Sequence, residues 1–206
     1  VDTKSDEIFF LVEQVVLAGA QAVVMDVSVL GSRNGKVAIS NQQVAKASGM
    51  PLEKIIALGD ENLAMTQMAK GACQLAQQLF EQDQIDGMLA LGGTMGTDLA
   101  LDVALSLPLG VPKVLLSTIA FSPLIAPERL APDLTMMLWA GGLYGLNSLC
   151  KQSLSQAAWA AVGACRSDFC AKRQSSAEEL ALVENDQSAK PMVGMTSLGS
   201  SALKYM

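Results

Sequence analysis

The sequence contains no histidine among its 206 residues. The absence of imidazole excludes hydrolases of the Ser-His-Asp and Cys-His types as well as histidine-held zinc, and we predict no metal-ligating set. Aromatic residues make up only 4% of the chain, so aliphatic side chains and 11 methionines must fill the core. Charged residues are also few, at 17%, whereas hydrophobic residues reach 50%. This balance predicts a folded chain and excludes intrinsic disorder.

Cysteine is scarce as well, with four residues and no CxxC spacing: Cys73, Cys150, Cys165 and Cys170. Such usage is typical of reduced thiols, so we predict a cytoplasmic protein. The 20 acidic and 14 basic side chains give a net charge of -6, which disfavours nucleic acid as a partner. The longest uncharged stretch, residues 134–150, is too short and too rich in glycine for a membrane helix. We therefore expect neither nucleic acid nor membrane as partner.

The hydrophobic pattern alternates between helical spacing and short apolar runs. Helical spacing predicts helices over residues 5–19, 42–47, 62–80, 98–104 and 146–170, with Ser5 and Ser40 as N-caps. Apolar runs predict buried strands over residues 22–27, 85–91, 111–118 and 134–139. Strands that alternate with helices and are apolar throughout indicate a parallel sheet covered on both faces. We predict an α/β, Rossmann-like fold with helices on both faces of the sheet.

Both ends of the sequence predict structure beyond this sheet. Residues 1–4 resemble the exit of a strand whose body lies upstream. Residues 172–190 are polar and acidic, which predicts an acidic helix or linker. Residues 191–206 resemble a strand that leads into a helix, and we interpret them as the truncated start of a second α/β domain. The first domain is therefore expected to cover residues 1–171.

The strongest chemical motif is a glycine-rich loop between a predicted strand and a predicted helix. It consists of Gly92, Gly93, Thr94, Met95, Gly96 and Thr97. Glycine lets the backbone approach a ligand closely, and the N–H groups at a helix N-terminus suit phosphate. The loop has neither the lysine of a P-loop nor the GxGxxG spacing of a dinucleotide site. Asp98 follows it and either complements the helix N-terminus or repels a bound phosphate.

Polar residues at other strand ends are expected to converge on the same rim, because ligands bind outside the carboxyl ends of parallel strands. Thr3 and Lys4 offer a hydroxyl and an ammonium, and Ser117 and Thr118 offer hydroxyls for phosphate or ribose. Asp26 ends a predicted strand at a position where nucleotide-binding folds often place an acid on ribose. Lys4 also has a simpler interpretation as a surface lysine, and Ser117 and Thr118 as caps of local turns.

These motifs occur in an order and at a spacing that resemble a known family. The matching segments are Asp2-Thr3-Lys4, Asp26-Val27, Ile85-Asp86-Gly87, Leu91-Gly92-Gly93-Thr94, Gly96-Thr97, Leu107-Pro108-Leu109-Gly110-Val111-Pro112-Lys113-Val114, Ser117-Thr118, Asp133-Leu134-Thr135-Met136-Met137 and Gly145-Leu146-Asn147. Together they are similar to the amino-terminal domain of the ATP-binding family typified by the tomato mosaic virus resistance protein. The resemblance extends over nearly the whole chain.

This resemblance implies an ATP-binding α/β domain, with Mg²⁺ as the candidate counter-ion, followed by a second α/β domain. It further implies that the Thr3-Lys4 turn, the 92–97 loop and Ser117-Thr118 line the nucleotide pocket. The segment that contains Asp133 and Thr135 is implied to line the pocket or to lie near it. The sequence departs from the family pattern where Met95 replaces a glycine, at Asp98, and in the apolar segments around Phe121 and Trp139. These departures fall in the loops that would bind ATP, so altered or lost nucleotide binding is a further interpretation.

Two other functions remain open at this stage. The loop and the Gly110-Val111-Pro112-Lys113 segment resemble those of phosphofructokinase-like kinases, which suggests a phosphotransferase with Asp98, Asp102 or Asp133 as its base. Alternatively, the chain is an interaction module that has lost its nucleotide. Residues 103–127 carry only one charge, at Lys113, which favours a homodimer or simply a well-filled core.

Overall fold

The computed structural model describes residues 4–30, 37–141 and 145–173, with side chains described as far as residue 166. Contacts divide the chain into two units, Val1–Phe169 and Cys170–Met206, and the three strands within the described ranges belong to the first. The predicted acidic segment beyond residue 173 and the predicted second-domain start at 191–206 lie outside the described residues, as do Val1, Asp2 and Thr3.

The described elements alternate between helices and strands. In chain order they are α1 (Ser5–Leu17), α2 (Asn41–Ala47), α3 (Leu52–Ile56), α4 (Glu61–Glu81), β1 (Met88–Gly92), α5 (Thr94–Ser106), β2 (Lys113–Ser117), a 3-10 turn (Pro127–Arg129), β3 (Leu134–Leu138) and α6 (Ser148–Arg173). None of the helices in these ranges has both the length and the apolar character needed to span a membrane.

The three strands form a parallel sheet in the order β1-β2-β3. Met88 pairs with Lys113, which pairs with Leu134, and the register continues to Gly92, Ser117 and Leu138 at the other end. Every residue of β2 is buried because helices pack on both faces of the sheet. The predicted α/β fold with a parallel sheet and helices on both sides is thus confirmed.

Side chains of β2 alternate between two layers of core. Val114 and Leu116 pack with residues of α1 and α6, whereas Leu115 packs with Ala100 and Leu101 of α5. Each such leucine contributes about 1.5–3 kcal/mol when it is fully buried. A further cluster joins α2, α3, α4 and α5. Helix α5 therefore lies between the sheet and the helices α2–α4.

The strand predicted over residues 22–27 is wrong in extent, since only an isolated bridge from Met25 to Ile39 is present. The backbone of this segment bonds to residues 38 and 39, through Ile39 N–H to Val24 O and Asp26 N–H to Ile39 O. Val23 is 43% exposed, so the run is not covered on both faces. An apolar, β-branched composition favours a strand, but it does not supply the hydrogen-bonding neighbour that a strand requires.

Of the two predicted N-caps, one is confirmed. Ser40 caps α2 with a capping box, in which its hydroxyl accepts from Gln43 N–H and the Gln43 side chain accepts from Ser40 N–H. Ser5 is instead the first helical residue of α1, and Lys4 precedes it without a side-chain cap. The helix starts one residue early because Ile8 N–H bonds to Lys4 O.

Candidate functional site

The parallel register gives the sheet two chemically different edges. Gly92, Ser117 and Leu138 end the strands at the carboxyl edge, whereas Lys113 and Leu134 begin two of them at the amino edge. Five-residue strands separate these edges by roughly 13 Å. The edge on which a residue lies therefore decides whether it can share a site with the 92–97 loop.

The 92–97 loop joins β1 directly to α5 at the carboxyl edge. Gly93 is the N-cap of α5 and Thr94 its first helical residue, with no side-chain cap. The first bond of the helix runs from Thr97 N–H to Gly93 O, at 2.8 Å. The preceding N–H groups of Thr94, Met95 and Gly96 have no intrahelical acceptor, as at any helix N-terminus. Since Thr94 and Met95 are exposed, this positive helix end faces solvent.

The three glycines of this loop have different steric surroundings. A Cβ on Gly92 would lie 2.5 Å from the carbonyl carbon of Gly96, so β1 and α5 approach too closely for any side chain there. A Cβ on Gly93 would meet only Thr118 Oγ1, at 3.9 Å, and one on Gly96 only Leu91 O, at 3.7 Å. Gly92 is thus required by packing, whereas Gly93 and Gly96 are not.

Thr97 and Ser117 are turned toward each other inside the protein. Both are fully buried, and their hydroxyl oxygens lie 2.7 Å apart. Ser117 Oγ also accepts from Ile119 N–H at 3.1 Å, and Ser117 O accepts from Trp139 N–H at 3.0 Å. These contacts fasten α5 to β2 and fix the chain beyond β2 and β3. The two hydroxyls therefore position the loops of the edge and do not face solvent.

Thr118 lies beside the glycine loop. Its N–H donates to Gly92 O at 3.2 Å, and its hydroxyl oxygen is the nearest atom to the position that a Gly93 Cβ would take. The residue is half-buried. Of the predicted pair Ser117 and Thr118, it is therefore Thr118 whose hydroxyl lies next to the exposed N-terminus of α5.

Lys4 lies at the carboxyl edge as well. Its Nζ is 5.4 Å from the centre of the Trp139 ring, a cation–π distance, and 3.8 Å from Glu7 Oε1. Trp139 directly follows β3, and this places the Lys4 ammonium near the carboxyl end of that strand. The buried Trp139 Nε1 has no hydrogen-bond partner in the described part of the chain. Thr3, predicted with Lys4, lies outside the described residues.

Asp26 is buried within its own turn. Its Oδ1 accepts from Ser28 N–H at 3.0 Å, and Asn41 Nδ2 donates to Ser28 O, so the turn is tied to the first residue of α2. The geometry thus gives Asp26 a structural contact with the backbone of its own turn.

Asp133 and Thr135 lie toward the amino edge, away from the glycine loop. Asp133 Oδ2 accepts from Lys113 Nζ at 2.6 Å and from Gly110 N–H at 2.8 Å. Lys113, which is 2% exposed, also donates to Pro108 O. Burial would raise the pKa of Asp133, but the hydrogen bonds from Lys113 and Gly110 outweigh it and hold that pKa below its ordinary value. Thr135 is exposed and pairs with Val114 one residue into β3.

Arg129 is a charged residue beside α5 that the sequence patterns did not single out. Its Nη1 lies 2.8 Å from Asp98 Oδ1, and its Nη2 lies 2.9 Å from Asp102 Oδ1 and donates to Asp98 O. The guanidinium thus offsets the acid charge nearest to the open end of α5. Asp98, Asp102 and Asp133, the candidate bases of a phosphotransferase, all have cationic partners.

No group of three or more metal-ligating side chains occurs within the described ranges. An open groove between α2 and α3 is lined by Lys46, Glu53 and their neighbours, and it contains none of the predicted site residues. The carboxyl edge therefore brings together Gly93, Thr94, Met95, Gly96 and Thr118, with Lys4 beside Trp139.

Comparisons with known proteins give a family for this fold. The N-terminal domain of the uncharacterised protein family UPF0261 matches residues 1–169. A UPF0261 protein of Brucella suis is 52% identical over 205 residues, which cover 100% of this chain and 46% of that protein. A UPF0261 protein of Clostridium tetani is 31% identical over 199 residues, which cover 97% of this chain and 46% of that protein. The ToMV resistance protein Tm-1(GCR237) of Solanum lycopersicum is 28% identical over 177 residues, which cover 79% of this chain and 23% of that protein. The chain thus spans about half the length of the bacterial relatives.

Proposed function

The chain belongs to the uncharacterised protein family UPF0261, whose N-terminal domain it contains, and we propose that this domain binds ATP at the carboxyl edge of its sheet. In the proposal, the phosphates lie at the N-terminus of α5, over Gly93 and Gly96. The Thr118 hydroxyl and the Lys4 ammonium contribute further donors. Mg²⁺ would arrive with the nucleotide, held by phosphate oxygens and water, since that ion needs few protein ligands.

The observation that carries this proposal is the pair of glycines without a packing role. Gly93 and Gly96 have room for a side chain, yet they lie at an uncapped, solvent-facing helix end. A serine or aspartate at the N-cap would stabilise α5 more than Gly93 does, by a few tenths of a kcal/mol. A bare backbone there is useful for a ligand that must approach the N–H groups closely, as phosphate does.

The charges around the loop also suit an anion. Asp98 would repel phosphate if it were unpaired, but Arg129 lies 2.8 Å from its carboxylate. Lys4 lies on the same edge, with its side chain 26% exposed, so its ammonium is partly accessible to a ligand. Its partner Glu7 is 3.8 Å away, too far for a tight hydrogen bond, so an anion can compete for the ammonium.

Calorimetric titration of the intact protein with Mg-ATP tests the proposal. Gly93→Val should weaken binding at least tenfold, because its side chain would cover the N–H groups, and a Cβ at this position meets only Thr118 Oγ1 at 3.9 Å. Lys4→Ala should weaken binding about tenfold, the lower end of the loss for a charge-assisted contact. Gly163→Ala in α6, where a Cβ meets nothing within 4 Å, and Lys70→Ala on the exposed face of α4 are the matched controls. Absence of binding by the unmodified protein, or equal binding by Gly93→Val, would contradict the proposal.

A further inference from the structure

The turn after β2 contains a phenylalanine in an unusual backbone conformation. Phe121 has φ +64°, and the other non-glycine residue with positive φ in the described ranges is Asp83. Ser122 N–H donates to Ile119 O at 3.0 Å, so Phe121 occupies the third position of a tight turn. Glycine or asparagine is preferred there, because a Cβ is strained at positive φ. Aspartate tolerates this conformation, but a bulky aromatic residue rarely adopts it.

Burial of the ring does not compensate this strain. Phe121 is 78% exposed, whereas the preceding Ala120 is 7% exposed. Ile119 N–H donates to the buried Ser117 Oγ, which fixes the start of the turn. The backbone is therefore held on both sides of a ring that projects into solvent. A strained residue that its own fold does not bury is a candidate for contact with a ligand.

The position of the ring suits a nucleotide held at α5. Phe121 is three residues beyond Thr118, so their Cα atoms are at most about 10 Å apart. Thr118 in turn lies against Gly93 at the N-terminus of α5. Phe121 therefore follows β2 at the same carboxyl edge as the N-terminus of α5, and a nucleotide extends well beyond its phosphates to its base. An aromatic side chain stabilises a bound base by stacking on its face, and every base has such a face.

We propose that Phe121 is the base-stacking residue of the nucleotide site. The inference rests on the proposed function, since it requires phosphates at the N-terminus of α5. In the bound state the adenine ring lies on the exposed face of Phe121, and the strained turn holds that face at a fixed distance from the phosphates. Phe121 contributes to selection of a nucleotide over simpler polyphosphates.

The test compares Mg-ATP with magnesium tripolyphosphate, which lacks the base, by calorimetry on the intact protein. Phe121→Gly should weaken ATP binding about tenfold and leave tripolyphosphate binding unchanged. The same variant should raise the melting temperature without ligand, because glycine relieves the strain. Phe121→Trp should keep the affinity for ATP. Leu124→Ala, at a 72% exposed apolar position in the same segment, is the control and should change none of these values.

The outcomes separate this inference from the proposed function. If Gly93→Val abolishes binding of both ligands but Phe121→Gly leaves ATP affinity unchanged, the stacking role is refuted and the phosphate site stands. If Phe121→Gly weakens both ligands equally, the ring supports the loop and does not select the base, which also refutes the inference. If sedimentation shows that Phe121→Gly dissociates a dimer with no change in ATP affinity, the ring is a contact between two copies, again against it. If the unmodified protein binds neither ligand, both proposals fail.

Discussion

Replacing Gly92 by alanine is expected to destabilise the fold through a clash between β1 and α5. The new Cβ would lie 2.5 Å from the Gly96 carbonyl carbon and 2.7 Å from Thr97 N. Both are backbone atoms of the first turn of α5, so no side-chain rotation can relieve the clash and the helix must shift. Overpacking of this kind costs about 1–3 kcal/mol. For a chain of this size, that corresponds to a melting temperature lower by roughly 2–12 °C.

Two neighbouring glycines provide matched controls for this change. Gly93 has φ -76° and ψ -159°, which alanine can adopt, and its Cβ would meet only Thr118 Oγ1 at 3.9 Å. Gly93→Ala should therefore cost no more than about 1 kcal/mol, the loss of a favourable N-cap residue. Gly96 lies inside α5 with its nearest contact at 3.7 Å, so Gly96→Ala should stabilise the helix by about 0.5–1 kcal/mol.

Thermal unfolding by circular dichroism, without ligand, measures all three variants under one condition. The expected order of melting temperatures is Gly96→Ala above the unmodified protein, Gly93→Ala slightly below it, and Gly92→Ala lowest. A Gly92→Ala protein that melts within 1 °C of the unmodified one would refute the close approach of β1 and α5. Equal losses for Gly92→Ala and Gly93→Ala would refute the division of the loop into packing and ligand-facing glycines.

Two further predictions concern the pairs that fix the two edges of the sheet. Because the pKa of Asp133 is below its ordinary value in the folded state, its interaction with Lys113 stabilises the protein above the unfolded pKa and is lost as pH falls through the folded pKa. Urea unfolding from about pH 5 down to about pH 2 should show a shallower loss of stability for Asp133→Asn, and an equal slope would contradict this. At the other edge, Thr97→Val should cost about 1–3 kcal/mol, because the buried Ser117 hydroxyl loses its bond to Thr97 and keeps only the one from Ile119 N–H. In urea unfolding, adding Ser117→Ala to that variant should cost less than Ser117→Ala alone, and strictly additive losses would disprove the coupling.

Much of the fold could be predicted from local sequence, because burial on both faces leaves a continuous apolar run. The run at residues 113–117 became the central strand, and Ser40 was predicted as the N-cap of α2 from its place before the helical spacing. The run at residues 22–27 has a similar composition but forms only one bridge, at Met25. Composition measures how well side chains fit a buried strand, whereas a strand also needs a neighbour that only tertiary structure supplies.

The candidate site could be predicted less completely, because its residues depend on contacts between distant segments. The strand-to-helix position of the 92–97 loop was evident from the sequence. The pairing of Thr97 with Ser117 spans 20 residues, and that of Arg129 with Asp98 spans 31. Neither has a local pattern. Asp133 was grouped with the loop through the family resemblance, but it directly precedes β3 and therefore lies at the amino edge of the parallel sheet.

These contacts separate the residues of the carboxyl edge that hold the fold together from those that are free of packing. Gly92 is taken up by the close approach of β1 and α5, and Thr97 and Ser117 bond to each other out of reach of solvent. The residues that remain at the exposed N-terminus of α5 include Gly93, Gly96 and Thr118, and neither glycine is required by packing. Substitutions in the first group act on stability before any ligand is present, whereas substitutions in the second can change affinity in a folded protein. A loss of binding is therefore informative about a ligand only when it comes from the second group, and that is why Gly93→Val is a better probe of the proposed site than any change at Gly92.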